Sequence, residues 1–316
     1  MASPAQSFID SVIGEKEQTA RLDEVEASRA DSNCKLLMWA MTLQSFDNHF
    51  LLKEGENGTL YIVNRDDGTE ASFAVTGYVS EYWLPSNRLS FRMCQNVGTV
   101  HQRVVISGAA SSFHNVRDAC ANIYHWMESQ GAEGEFLDYD STLRTGSDST
   151  FMASTPLLSK REKGEQEGGS LDMPDYVKSC TRGVSESAYR YTEDNEVVYM
   201  QRLTGSGGVV VSAIHPKLFR HCHLVDVEVC FRGIKLKGGK RVFVHHLSSL
   251  TLLDRSANIA LVKAVRNSDK KSKTETVSNG NPRKRKYEFA VKADEGTKVN
   301  KDLNSAVSLA GTPMDM

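Results

Sequence analysis

The chain has 316 residues, with 38 Lys and Arg against 40 Asp and Glu for a formal net charge of −2. That length suits one large domain or two small ones, and a hydrophobic content of 40% excludes a wholly disordered or fibrous chain. The near-zero total hides an asymmetry. The N-terminal and middle parts are acidic and the region after Pro216 is basic, so a local field can attract polyanions while the molecule stays nearly neutral.

Six cysteines, Cys34, Cys94, Cys120, Cys180, Cys222 and Cys230, form no CxxC pair. The opening "MASPAQSFIDSVIGEKEQ" has neither the basic n-region nor the apolar h-region of a signal peptide. Free, mostly buried thiols in a soluble intracellular protein are therefore expected, and Asn57-Gly58-Thr59 is read as a turn. No apolar run approaches the roughly 18 residues of a membrane span, so no membrane partner is expected.

In chain order, residues 1–33 read as a polar N-terminal tail, either a solvated helix or disorder, with too few apolar positions to pack as a core helix. Residues 34–131 read as the first part of a β domain. "CKLLMWAMTLQSF" is apolar, and two strands flank the turn signal Asp66-Asp67-Gly68. In "FAVTGYVSEYW", Phe73, Val75, Gly77 and Val79 take one face while Thr76, Tyr78, Ser80 and Tyr82 take the other. "RLSFRMC" and "GTVHQRVVISG" read as further strands. "SSFHNVRDACANIYHWMES" reads as a helix capped by Ser111 or Ser112 and ended by Gly131, with Phe113, Val116, Cys120, Ile123 and Met127 on its core face.

Residues 132–195, which include "SKREKGEQEGGSLDMPD", show little periodicity and read as a disordered insertion or linker. Residues 196–262 read as the second part of the β domain. They hold short strands at 197–203 and 209–214, a turn opened by Pro216, and a hairpin over Leu224–Asp254 whose Val225, Val227, Val229 and Phe231 are candidate core. Residues 263–316 read as a disordered basic tail. Its cluster Arg283-Lys284-Arg285-Lys286 has the exposed, extended character of a nuclear-localisation signal and implies a nuclear import receptor as partner.

Several weak matches fall in a telling order. "FAVTGYVSEYWLPSNRLSFRM", "HQRVVISG", "HLVDVEVCFRGIKL" and "KRVFVHHLSSLTLLD" resemble successive strands of OB-fold single-stranded nucleic-acid-binding proteins over about 70–110 and 220–255. The resemblance implies a mainly β chain with one or two helices, built as an OB-like Greek-key barrel. A long insertion before the fourth strand and the extra strands at 197–203 and 209–214 depart from that family, and leave one barrel or two open.

A nucleic-acid surface needs cations for phosphates and flat rings for bases. The candidates are Tyr78, Tyr82, Trp83, Arg88 and Arg92 on the first hairpin and Arg103 on the next strand. On the last hairpin, Arg232, Lys235, Lys237, Lys240 and Arg241 surround the corner, with Phe243 and His245 on one strand face. Taken singly, each is an ordinary strand-surface or turn residue; it is the grouping that points to a polyanion. His221, Cys222, His223, Cys230, His245 and His246 cluster in sequence, but their irregular spacing lacks the paired ligands of structural zinc. "TGSGG" lacks the Lys-Ser/Thr of a phosphate-binding loop, and neither GxSxG nor HExxH occurs. The expectation is non-catalytic, nuclear binding of single-stranded DNA or RNA with no cofactor and no metal. The alternative is a protein-interaction or scaffold module that uses a strand edge or apolar patch.

Overall fold

The computed structural model describes residues 13–29, 34–41, 45–55, 57–85, 100–131, 134–139, 150–161, 171–181, 185, 188–205 and 208–275. The chain divides into two compact units, 1–270 and 271–316. Of the second, the described residues are 271–275, the end of a helix that begins at Ser256. No described helix is long and apolar enough to cross a membrane.

The first unit is mainly β. Its principal sheet has nine strands. These are β1 (Phe50–Glu54), β2 (Leu60–Asn64), β3 (Phe73–Trp83), β4 (His101–Ser107), β5 (Thr150–Pro156), β8 (Val198–Gly205), β9 (Gly208–Ala213), β10 (Leu224–Lys235) and β11 (Arg241–Asp254). A separate two-stranded ladder joins β6 (Ser159–Lys160) to β7 (Tyr189–Arg190). The helices are α1 (Glu15–Ala27), the one-turn α2 (Phe46–His49), α3 (Ala110–Gln130), α4 (Asp175–Cys180) and α5 (Ser256–Glu275).

The main path runs β5-β4-β3-β10-β11-β8-β9, and β2 joins β1 to the far half of β10. All neighbours are antiparallel except β8 on β11. The alternation along β10 is decisive: Val225, Val227, Val229 and Phe231 are all fully buried, as their period-two spacing predicts. No ladder among the described residues joins β5 to β11, so no closed barrel forms. The two strands nevertheless face each other through side chains. Thr155 Oγ1 donates to the Leu247 carbonyl at 2.6 Å and the His245 ring stacks on Phe151 at 5.0 Å.

Helix α3 buries Phe113, Val116, Cys120, Ile123 and Met127 in the core, the residues its spacing predicts. It begins at Ala110 with Ala109 in the capping position and no side-chain cap, so the expected serine cap is not used. Its close approach requires Gly77: a Cβ there would lie 2.8 Å from Phe113 and 3.1 Å from Ile106.

Three readings from the sequence change. The supposed polar tail contains α1, which buries Leu22, and beyond it Arg29 bonds Asp226 at 2.7 Å and Thr76 at 2.7 Å. A few apolar contacts plus buried ion pairs hold a helix whose mean character is polar. The supposed disordered insertion at 132–195 contributes β5, with Phe151, Ala153 and Thr155 turned inward, along with β6, β7 and α4. The boundary at 263 falls inside α5. The expected strand at 88–94 lies outside the described residues.

Candidate nucleic-acid interface and a charged cleft

The candidate residues separate into four groups. Tyr78 lies on the face opposite α3, but α1 covers that face. The ring is fully buried, with Thr76 beside it held by Arg29. Tyr82 is also buried, for a different reason. A bulge between Val79 and Glu81 resets the alternation of β3, so Tyr82 pairs with the buried Val104 and packs against His221 at 5.0 Å. Phe243 is 1% exposed, stacked on Phe231 at 5.3 Å inside the core. Arg241 is 3% exposed and bonded to Glu54, Glu135 and the Gly58 carbonyl. These four are corrected from surface ligands to structural residues.

The same bulge turns Trp83 outward, paired across the ladder with Arg103. The guanidinium sits 5.2 Å from the indole centroid, and both side chains are half-buried. Beside Arg103 on β5 stands Ser154, also half-exposed.

Lys235, Lys237 and Lys240 are exposed at the β10–β11 corner. There Gly239 takes φ of +82° and Leu236 N–H donates to the Lys240 carbonyl at 2.7 Å. Because β10 runs antiparallel to β3, this corner and Trp83 lie at opposite ends of the sheet. Arg88 and Arg92, between them in sequence, and Arg283, Lys284, Arg285 and Lys286 lie outside the described residues.

Of the histidines and cysteines, Cys230 and His246 pair across β10 and β11, and the group as a whole does not gather at one point. His221 contacts the Ser80 carbonyl at 2.7 Å, in a turn where Cys222 takes φ of +63°. His223 accepts from Arg220 N–H, and burial beside Arg255 and Arg220 pushes its pKa down to about 4. His245 bridges Tyr139 and the Met152 carbonyl inside the core, each at 3.0 Å. Burial raises the thiols of Cys120, Cys222 and Cys230, the last to about 12. Among the described residues no group of three or more His, Cys, Asp or Glu could hold a metal.

A cleft of about 470 Å³ opens on the outer face of β10–β11, against β2 and the segment 193–196. Its centre is Arg232, which bonds both oxygens of Glu70 at 2.6 and 2.7 Å and Asp194 at 2.8 Å, and lies 5.1 Å from the Tyr61 ring centroid. His246, Cys230 and Ser248 also line it. Burial, then Arg232 and His101, depress His246 to about 3. The sequence marks Arg232 as a corner cation, but its partners Glu70 and Asp194 are 162 and 38 residues away, so pattern alone could not find the cleft.

No known family model matches this chain, and none of the curated proteins is a detectable relative.

Proposed function

We propose that this chain binds single-stranded nucleic acid without catalysis, on an OB-like sheet. Support comes from the order β5-β4-β3-β10-β11 together with the facing of β5 and β11. With β3 as the first barrel strand, β4 and β5 occupy the second and third places. Their outer surface and the β10–β11 corner are where OB proteins take oligonucleotides. The observation that carries the reading is the outward Trp83–Arg103 pair on that surface: one ring for stacking and one cation for phosphate. Lys235, Lys237 and Lys240 supply further cations at the corner. Nuclear import through Arg283–Lys286 belongs to the same proposal, and a reporter fused to residues 265–316 that stays cytoplasmic overturns it.

The test is fluorescence anisotropy with a labelled 15-nucleotide strand. Binding is expected to weaken steeply between 50 and 200 mM salt, with a slope of about −0.7 per phosphate contact. Arg103→Glu should abolish it, and absence of binding at low salt refutes the reading. Binding that survives both Trp83→Ala and Arg103→Glu moves the site elsewhere and refutes this placement.

A second reading rests on β9. This edge strand carries Val209, Val210 and Val211 at 52%, 59% and 54% exposure, with no charged residue on it. Such an edge accepts an extended strand of another protein. Val210→Lys should abolish any partner capture or self-association seen by sedimentation and leave oligonucleotide binding intact.

A further inference from the structure

We infer that the cleft around Arg232 and His246 is a binding site for a cationic ligand bearing a guanidinium or amine, separate from the proposed nucleic-acid surface. Four carboxylates, Glu70, Glu193, Asp194 and Glu196, line it against two cations, Lys53 and Arg232. Glu70 and Asp194 are committed to Arg232, whose guanidinium therefore offers little to an anion. Glu193 and Glu196 are exposed and form no ion pair among the described residues. The cleft thus presents unneutralised negative charge around a filled positive centre.

The second observation is His246. Its ring is 6% exposed, lines the cleft, and makes no hydrogen bond among the described residues. The neutral ring has one donor and one acceptor nitrogen to offer at the wall of the cleft. The ring is neutral across physiological pH, since protonation is held down to about 3. A neutral imidazole supplies an acceptor nitrogen, which suits an incoming N–H.

The site is also preorganised. The 193–196 rim is a turn closed by a reciprocal cap: Thr192 N–H donates to Asn195 Oδ1 at 2.9 Å. Asn195 is tied to the Pro156 carbonyl at 3.1 Å, and its own carbonyl accepts from Gln102 at 2.7 Å. The carboxylates on that turn therefore need little ordering when a ligand binds. The volume lies within the range of about 300–1,000 Å³ typical of small-ligand sites, so it takes a linear cation or an arginine side chain rather than a bare ion.

Calorimetric titration of the full chain with agmatine, spermidine and the peptide Ac-Gly-Arg-Gly-NH2 tests this. Saturable one-to-one binding of at least one is expected, weakened about tenfold by E193Q/E196Q, in keeping with loss of desolvated charge pairing. Binding should also shift the His246 ring resonances. Agmatine and peptide binding without spermidine identifies an arginine side chain as the natural ligand; spermidine alone identifies a polyamine. No saturable binding of any probe overturns the inference, as does an affinity unchanged in E193Q/E196Q. Both rim positions are exposed, so that variant reports on binding while its folding is checked by thermal melting. Failure here leaves oligonucleotide binding at Trp83 and Arg103 unaffected, and the reverse also holds.

Discussion

The two halves of β3 share one alternating pattern and end in opposite circumstances. Before the bulge, Thr76 and Tyr78 point away from α3 and are buried all the same, because α1 and Arg29 lie over them. After it, Glu81 and Trp83 hold the corresponding outward places, and Glu81 is exposed while Trp83 is half-buried. One added residue in the ladder moves Tyr82 inward and Trp83 outward. An aromatic at an outward position is thus a ligand platform or a core residue depending on what crosses above it.

This contrast can be broken most severely at Tyr78. Tyr78→Ala removes a fully buried ring beneath α1 and should cost about 4 kcal/mol in urea unfolding. Arg29→Ala strips the partner from Asp226, with both side chains under one-fifth exposed, and should cost about 3 kcal/mol. If either change proves neutral, the cover provided by α1 is not structural.

A smaller effect comes from acid. His223, whose carbonyl accepts from Val79 N–H at the bulge, has a folded pKa of about 4 against 6.5 in its ordinary state. The unfolded chain therefore binds the proton first. The His223 contribution is complete above about pH 6.5 and declines as pH falls towards 4, by up to about 1.4 kcal/mol per pH unit. His223→Asn should flatten that limb in chemical unfolding measured from pH 7 to 4.

Trp83→Ala should barely touch stability but weaken oligonucleotide affinity by about 1 kcal/mol, roughly fivefold. Tyr78→Phe, by contrast, should leave affinity unchanged. Equal losses from the two would erase the distinction between the halves of β3.

Much of the frame was legible because it depends on local periodicity. The inward residues of β10, the core stripe of α3 and the turn at Pro216 follow from spacing that only one packing satisfies. β5 left a faint trace: Phe151, Ala153 and Thr155 alternate, but small and polar residues between low-periodicity flanks hide them. α1 left almost none, since its attachment rests on Leu22 and on Arg21 and Arg29 pairing with Asp254 and Asp226, each some two hundred residues away. The site was legible in one part only. The sequence marks Trp83 and Arg103 as candidates but places Tyr78 and Tyr82 beside them, because burial of an outward residue is decided by a distant segment.

By itself, then, the sequence determined those strands and the helix whose apolar residues recur at two or 3.6, and which of their faces are apolar, since backbone geometry sets those periods. Tertiary structure alone decided which polar faces stay open. It laid α1 over Tyr78, drew Arg241 into Glu54 and Glu135, and gathered Arg232, Glu70, Asp194 and His246 around one cleft. Charge pairing and burial act between residues near in space, and no period along the chain encodes that nearness.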